Sequence, residues 1–133
     1  LIRLLPEKEI PETGAKKYII GGKSVMLNEK PKLLNENLSL DGYDTLILGT
    51  PIWARCFVPA VNTFLSEYVI KDKNVYLFTL HSPGTKTDQC FAKMKEKLSR
   101  NIIKGTAEFE DVKKTSAKEL DDKVRKFCKT ITD

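Results

Sequence analysis

From residue 43 onward the chain alternates short, unbroken apolar runs with longer segments whose apolar residues recur at helical spacing, and this restricts the fold more than any other feature. A run such as "YDTLILGT" has no polar face, so both sides of that strand must be covered. Parallel sheets with crossover helices on their faces provide that cover. The pattern predicts strands at residues 45–48, 74–80 ("KNVYLFTL") and 102–109 ("IIKGTAEFE"), the last more alternating and so nearer a sheet edge. Between and after them it predicts helices over 58–68, 86–99 and 117–131.

The helical faces are explicit. Phe57, Val61, Phe64, Leu65 and Tyr68 share one, with Pro59 where a first turn tolerates it. Cys90, Phe91, Met94 and Leu98 share the second, and Leu120, Val124, Phe127 and Ile131 the third. Thr85 with Asp88, and Ser116 with Glu119, have the spacing of capping boxes. Right-handed crossovers then bring the loops after each strand to one edge of the sheet. At 133 residues, 41% of them hydrophobic, the chain has the size of a single domain spanning 1–133.

The first 42 residues are less regular. "LIRLL" reads as a short strand, and the stretch up to Gly42 as an irregular connection. "GGKS" invites comparison with a phosphate-binding P-loop, but that motif needs a glycine where Lys17 stands, and no buried strand leads into it. The chain opens directly on Leu1, which suggests that something upstream is missing.

Composition excludes several classes of function. The net charge of +5 is spread along the chain without interleaved aromatic residues, which favours solubility over nucleic-acid binding. Cys56, Cys90 and Cys128 stand far apart beside a single histidine, so neither a disulfide framework nor a zinc site is indicated, and no metal is expected. No apolar run has the length of a membrane span and no signal peptide is visible, so the expectation is a cytoplasmic protein without a membrane partner.

Ligands of open parallel sheets bind beyond the carboxyl ends of the strands. "TPIWA" and "LHSPG" are the two loops at that edge, and the first carries the only tryptophan. A flat aromatic ligand lying on Trp53 and a Trp that merely covers the end of the sheet are both consistent with this placement. Arg55 either meets negative charge or is simply solvated; Cys56 reads as a small packed residue; His81 is either a proton donor or acceptor or a structural residue.

"YDTLILGTPIWARCFVPAVNTFLSEY", followed by "KNVYLFTLHSPGTKTDQCFAKMKEKL" and a final strand and helix, resembles the flavodoxin family, especially its small members with a "GTPIW" loop. The resemblance extends to the amino terminus, where residues 1–33 look like the family's second strand and following connection. It implies a doubly wound, three-layer α/β/α sheet and non-covalent FMN held by two apical loops. On that basis Thr50, Pro51, Ile52, Trp53 and Ala54 form the first flavin loop, with the indole against the isoalloxazine ring. Leu80, His81, Ser82, Pro83 and Gly84 form the second.

The family also begins with a strand, a "TGNT"-like phosphate loop and a helix, and nothing like these precedes Leu1. The absent strand belongs between two others in the family's order, so exposed strand edges and a homo-oligomer formed through them are expected. The resemblance implies an FMN electron carrier that needs no catalytic acid, base or nucleophile, working with a redox partner protein or a small-molecule acceptor. An FMN-dependent NAD(P)H:acceptor (quinone) reductase and a scaffold that binds no flavin remain the alternatives.

Overall fold

The computed structural model describes residues 1–10 and 14–132. Residues 11–13, part of the stretch read as a connection, and residue 133 lie outside the described residues. In chain order the elements are α1 (Ala15–Met26), β1 (Thr45–Trp53), β2 (Cys56–Phe57), α2 (Pro59–Glu67), β3 (Asn74–His81), α3 (Asp88–Lys97), β4 (Ile102–Glu110) and α4 (Ala117–Thr132).

The sheet order is β2-β1-β3-β4. β1 runs parallel to β3 from Thr45↔Asn74 to Pro51↔Leu80, and β3 runs parallel to β4 from Asn74↔Ile102 to His81↔Glu110. The tiny β2 folds back antiparallel on β1 through Ile52↔Phe57 and Trp53↔Cys56. Successive strand residues point to opposite faces. Val75 and Leu77 therefore join Leu48, Val61, Phe64, Met94 and Leu98 beneath α2 and α3, while Tyr76 packs with Phe109 and Phe127 beneath α4. The parallel strands are those predicted from the apolar runs, and the three layers of an α/β doubly wound sheet are those that the resemblance implied.

The face beneath α2 and α3 is well filled. Leu77, Met94 and Leu98 are almost wholly removed from water, each such burial being worth about 1.5–3 kcal/mol. Across the sheet, Phe78, Phe109 and Phe127 meet edge to face with centroids 5.9–6.4 Å apart. Of the α4 stripe, Phe127 is buried but Val124 stays 40% exposed, so this helix covers its face loosely.

Four expectations are corrected. β1 does not stop at residue 48: pairing with β3 and then β2 carries it to Trp53, through a proline that forfeits only one ladder donor. "LIRLL" is not a sheet strand. Its backbone is drawn instead to residues 32–34, where Pro6 bridges Leu33 and the Leu34 N–H donates to the Leu5 carbonyl at 2.7 Å. Nor are residues 15–26 a strand or an irregular connection; they form α1, whose inner face is built from the small residues Gly21 and Ser24. Finally, Thr85 and Asp88 form no capping box, because Asp88 already lies inside α3 and Thr87 precedes the helix. The Ser116 cap is present, with the Glu119 N–H donating to its hydroxyl at 3.2 Å.

Candidate functional site

The carboxyl end of β1 becomes a two-residue hairpin turn, since Trp53 pairs with Cys56 across Ala54 and Arg55. Both turn residues have positive φ, 46° and 62°. Such turns ordinarily use Asn-Gly because Cβ resists this conformation. The strain is held by what surrounds it. Cys56 and Phe57 are buried, and Thr50, also buried, accepts from the Val58 N–H at 3.3 Å while its own hydroxyl donates to the Pro51 carbonyl at 2.8 Å. Strained turns persist only where the surroundings fix them, and they cluster at ligand sites.

That turn delivers Trp53 half-buried against α1. A Cβ on Gly21 would stand 3.0 Å from the indole Cε3 and 3.2 Å from Cζ3, so the ring lies directly on the glycine's face of the helix. Beyond it opens a cavity of about 680 Å³, within the range of small-molecule and cofactor sites. Trp53, Pro51, Ile47 and Phe78 supply apolar wall, and among the described residues Arg3, Lys8, Lys17 and Lys113 supply positive charge against one carboxylate, that of Glu9. This donor set suits a flat, largely apolar ligand carrying an anionic group.

The cavity follows the outer edge of β1. Among the described residues no strand pairs with that edge before Ile52, and the segment Leu1–Leu4 lines the cavity there instead. The amino-terminal segment thus borders the gap without adding a strand.

The second loop follows β3. Leu80 and His81 are the last strand residues, and Ser82–Thr85 make a turn closed by a 3.2 Å bond from the Thr85 N–H to the Ser82 carbonyl. Pro83 and Gly84, the latter at φ 72°, are the residues a type II turn requires. The structure therefore brings both predicted loops to one edge of adjacent strands. Of the predicted residues, Pro51 and Trp53 line the cavity. Thr50 and Ile52 face the opposite, α2 side, Ala54 tips the hairpin, and residues 80–84 stand outside the cavity lining.

His81 is enclosed, its side chain only 4% exposed. Its Nδ1 lies 3.1 Å from the Ser82 carbonyl oxygen, which only accepts, so the neutral ring carries its proton there. Nε2 is left without a hydrogen-bond partner, 3.8 Å from Glu108 Oε2. Glu110 approaches Nδ1 at 4.0 Å. The cysteines play no comparable part: burial and then the neighbouring Cys56 push the Cys90 thiol up to about 12, which keeps it protonated and unreactive.

Sequence reading missed Gly21, Lys17, Lys113, Glu108 and Glu110. Only the last two carried a usable signal, because "EFE" at the end of an alternating edge strand puts both carboxylates on one face.

The sequence profile of the flavodoxin family matches residues 22–127. The chain belongs to the flavodoxin family. No curated protein sequence matches it. Among solved structures, this flavodoxin-family chain is similar to a protein assigned as a flavoprotein from Bacteroides uniformis ATCC 8492, with a TM-score of 0.68, 16% identity, and coverage of 92% of this chain and 78% of that one. It is also similar to a flavoprotein from Lactobacillus acidophilus NCFM in complex with FMN, at 0.58 and 17%, covering 90% and 76% of the two chains. At these identities the likeness supports the flavodoxin-like fold. No helix among the described residues is long and apolar enough to cross a membrane.

Proposed function

We propose that this chain binds FMN at the carboxyl edge of β1 and β3 and serves as an electron carrier. The observation that carries the reading is Trp53: the lone indole walls a cofactor-sized cavity rimmed by lysines, in a family chain similar to a structure that holds FMN. FMN, when bound, supplies the redox chemistry. The chain's residues bind and shield it. Trp53 offers a π-face and excludes water, and Lys17 and Lys113 attract the anionic group.

No nucleophile–base pair is required, and the cysteine nearest the turn, Cys56, is buried. The electron acceptor is then a redox partner protein or a small molecule, and three free cysteines suit a reducing, cytoplasmic setting. One observation favours the second reading, a scaffold without flavin: residues 80–84 do not line the cavity that Trp53 walls.

Flavin-fluorescence titration decides between them. Stacking on an aromatic face is worth about 0.5–1.5 kcal/mol beyond area burial, so Trp53→Ala is expected to weaken FMN binding by up to about tenfold, 1.4 kcal/mol being one decade. An unchanged affinity in Trp53→Ala removes the indole from the site, and no binding to the wild-type chain leaves the scaffold reading.

A further inference from the structure

Glu108 reaches both ends of the second loop. Its Oε1 accepts a 2.7 Å hydrogen bond from Thr87 Oγ1, and its Oε2 stands 3.8 Å from His81 Nε2. Residues 82–86 run between these two contacts, so one carboxylate spans the loop's base. Thr87 sits where a hydroxyl would cap α3, yet it makes no cap bond and turns to Glu108 instead. At the other end the protonation state decides. In the neutral ring the bare Nε2 acceptor confronts a carboxylate oxygen, another acceptor, and no bond forms. Adding a proton makes Nε2 a donor aimed at Glu108, with the charge held between two carboxylates.

We propose that Glu108 is a positioning residue for the second ligand loop: it holds the loop's far end through Thr87 at all pH and its near end through His81 only when the imidazole is protonated.

The other groups around the ring support this assignment. β4 presents Glu108 and Glu110, both about half exposed. On the ring's side of the sheet, β3 adds only Thr79, and β1 only the uncharged Thr50 and Ile52. Lys86 and Asp88, on either side of Thr87, are exposed to solvent. The backbone bond from the Asp111 N–H to the His81 carbonyl, 2.9 Å, anchors the strand end independently of pH. The pH-dependent part is therefore the side-chain link. The link needs the second N–H of the imidazolium and is absent from the neutral ring. The consequence for ligand affinity rests on the FMN reading above; the link itself does not.

The test uses the unliganded full chain. Amide hydrogen exchange of residues 82–86, corrected for intrinsic rates, is compared at pH 5.5 and pH 8. Greater protection at pH 5.5 is expected, by about twofold to fivefold, the range of a partly exposed ion pair. Glu108→Gln keeps an acceptor for Thr87 but has no charge for the imidazolium, and is expected to abolish the pH difference, as is His81→Gln. Equal protection at both pH values in the wild type, or the same pH difference in Glu108→Gln, overturns the proposal.

Nitrogen-15 shifts of the single histidine provide a check that needs no variant: a neutral ring protonated at Nδ1 is expected, and one protonated at Nε2 refutes the link. FMN titration at the two pH values separates the readings. Loop protection that varies with pH in a chain that binds no FMN keeps the link and discards the flavin, whereas FMN binding with pH-independent protection does the reverse.

Discussion

Replacing Gly21 by alanine probes the contact on which Trp53's position depends. Two opposing effects are readable from the structure. Alanine in a helix interior is favoured over glycine by about 0.8–1 kcal/mol. The added Cβ, however, would stand 3.0 and 3.2 Å from two indole carbons, where carbon contacts settle near 3.5–4.0 Å. Something must give by a few tenths of an ångström. Trp53 is half-buried with the cavity beyond it, so the ring yields and not the helix. The helical gain and the lost contact then nearly cancel, and urea unfolding is expected to show a net change within about 1 kcal/mol of wild type. The fluorescence is expected to change, because the only tryptophan is the residue displaced. Gly21→Val offers no such cancellation, and its branched side chain is expected to cost about 1–3 kcal/mol by overpacking. An alanine variant stabilised by the full helical increment, with indole emission identical to wild type, would show that Trp53 does not rest on α1.

Gly49→Ala places a Cβ inside the Phe78 ring, which is already packed edge-on against Phe109 and Phe127; a loss of about 1–3 kcal/mol is expected in urea unfolding, and an unchanged midpoint contradicts it. The raised Cys90 ionisation means that the folded thiol keeps its proton after the unfolded one has lost it, so stability falls as pH climbs from the usual thiol value toward about 12. Cys90→Ala is expected to flatten that decline, and at pH 8 a thiol reagent is expected to label exposed Cys128 long before buried Cys90. The unpaired outer edge of β1, with Ile47 48% exposed beside it, is expected to drive concentration-dependent association that Ile47→Lys reduces; a strictly monomeric wild type in sedimentation velocity refutes this.

The parallel core was legible because its causes are local. "TLIL" and "VYLF" have no polar face, so parallel strands covered on both sides were the available solution, and the α2 and α3 faces follow from spacing alone. Ser-Pro-Gly-Thr announced its turn in the same way. The amino-terminal third was not legible, because its structure is imposed from outside. Glycines at 21 and 22 argue against a helix on propensity, yet the absent side chain at Gly21 is what admits the indole of Trp53 from a strand thirty residues on. The Ala54–Arg55 turn was hidden for a related reason. Its sequence lacks the Asn-Gly signal, and the burial of Cys56 and Phe57 sets the conformation instead.

The site lies at the end of β1 and not of β4, although both strands are parallel members of one sheet, because the two strands end differently. β4 runs out as an alternating edge strand whose exposed residues after Ile102 are polar, so its end meets water without forming a wall. β1 continues past its partner into a strained hairpin and carries an indole beyond the last parallel pair, Pro51↔Leu80. Before Ile52 no strand among the described residues pairs with its outer edge, and Leu1–Leu4 line the gap without filling it. An unpaired edge in the interior of a layered fold leaves space on the scale of a missing element, and the lysines that reach its rim make that space attractive to an anion. The cavity and the open strand edge are therefore one feature. A substitution that lets the edge pair, with another copy of the chain or with the Leu1–Leu5 segment drawn in as a strand, closes the space in which a ligand would lie, so self-association and ligand binding at this edge oppose each other.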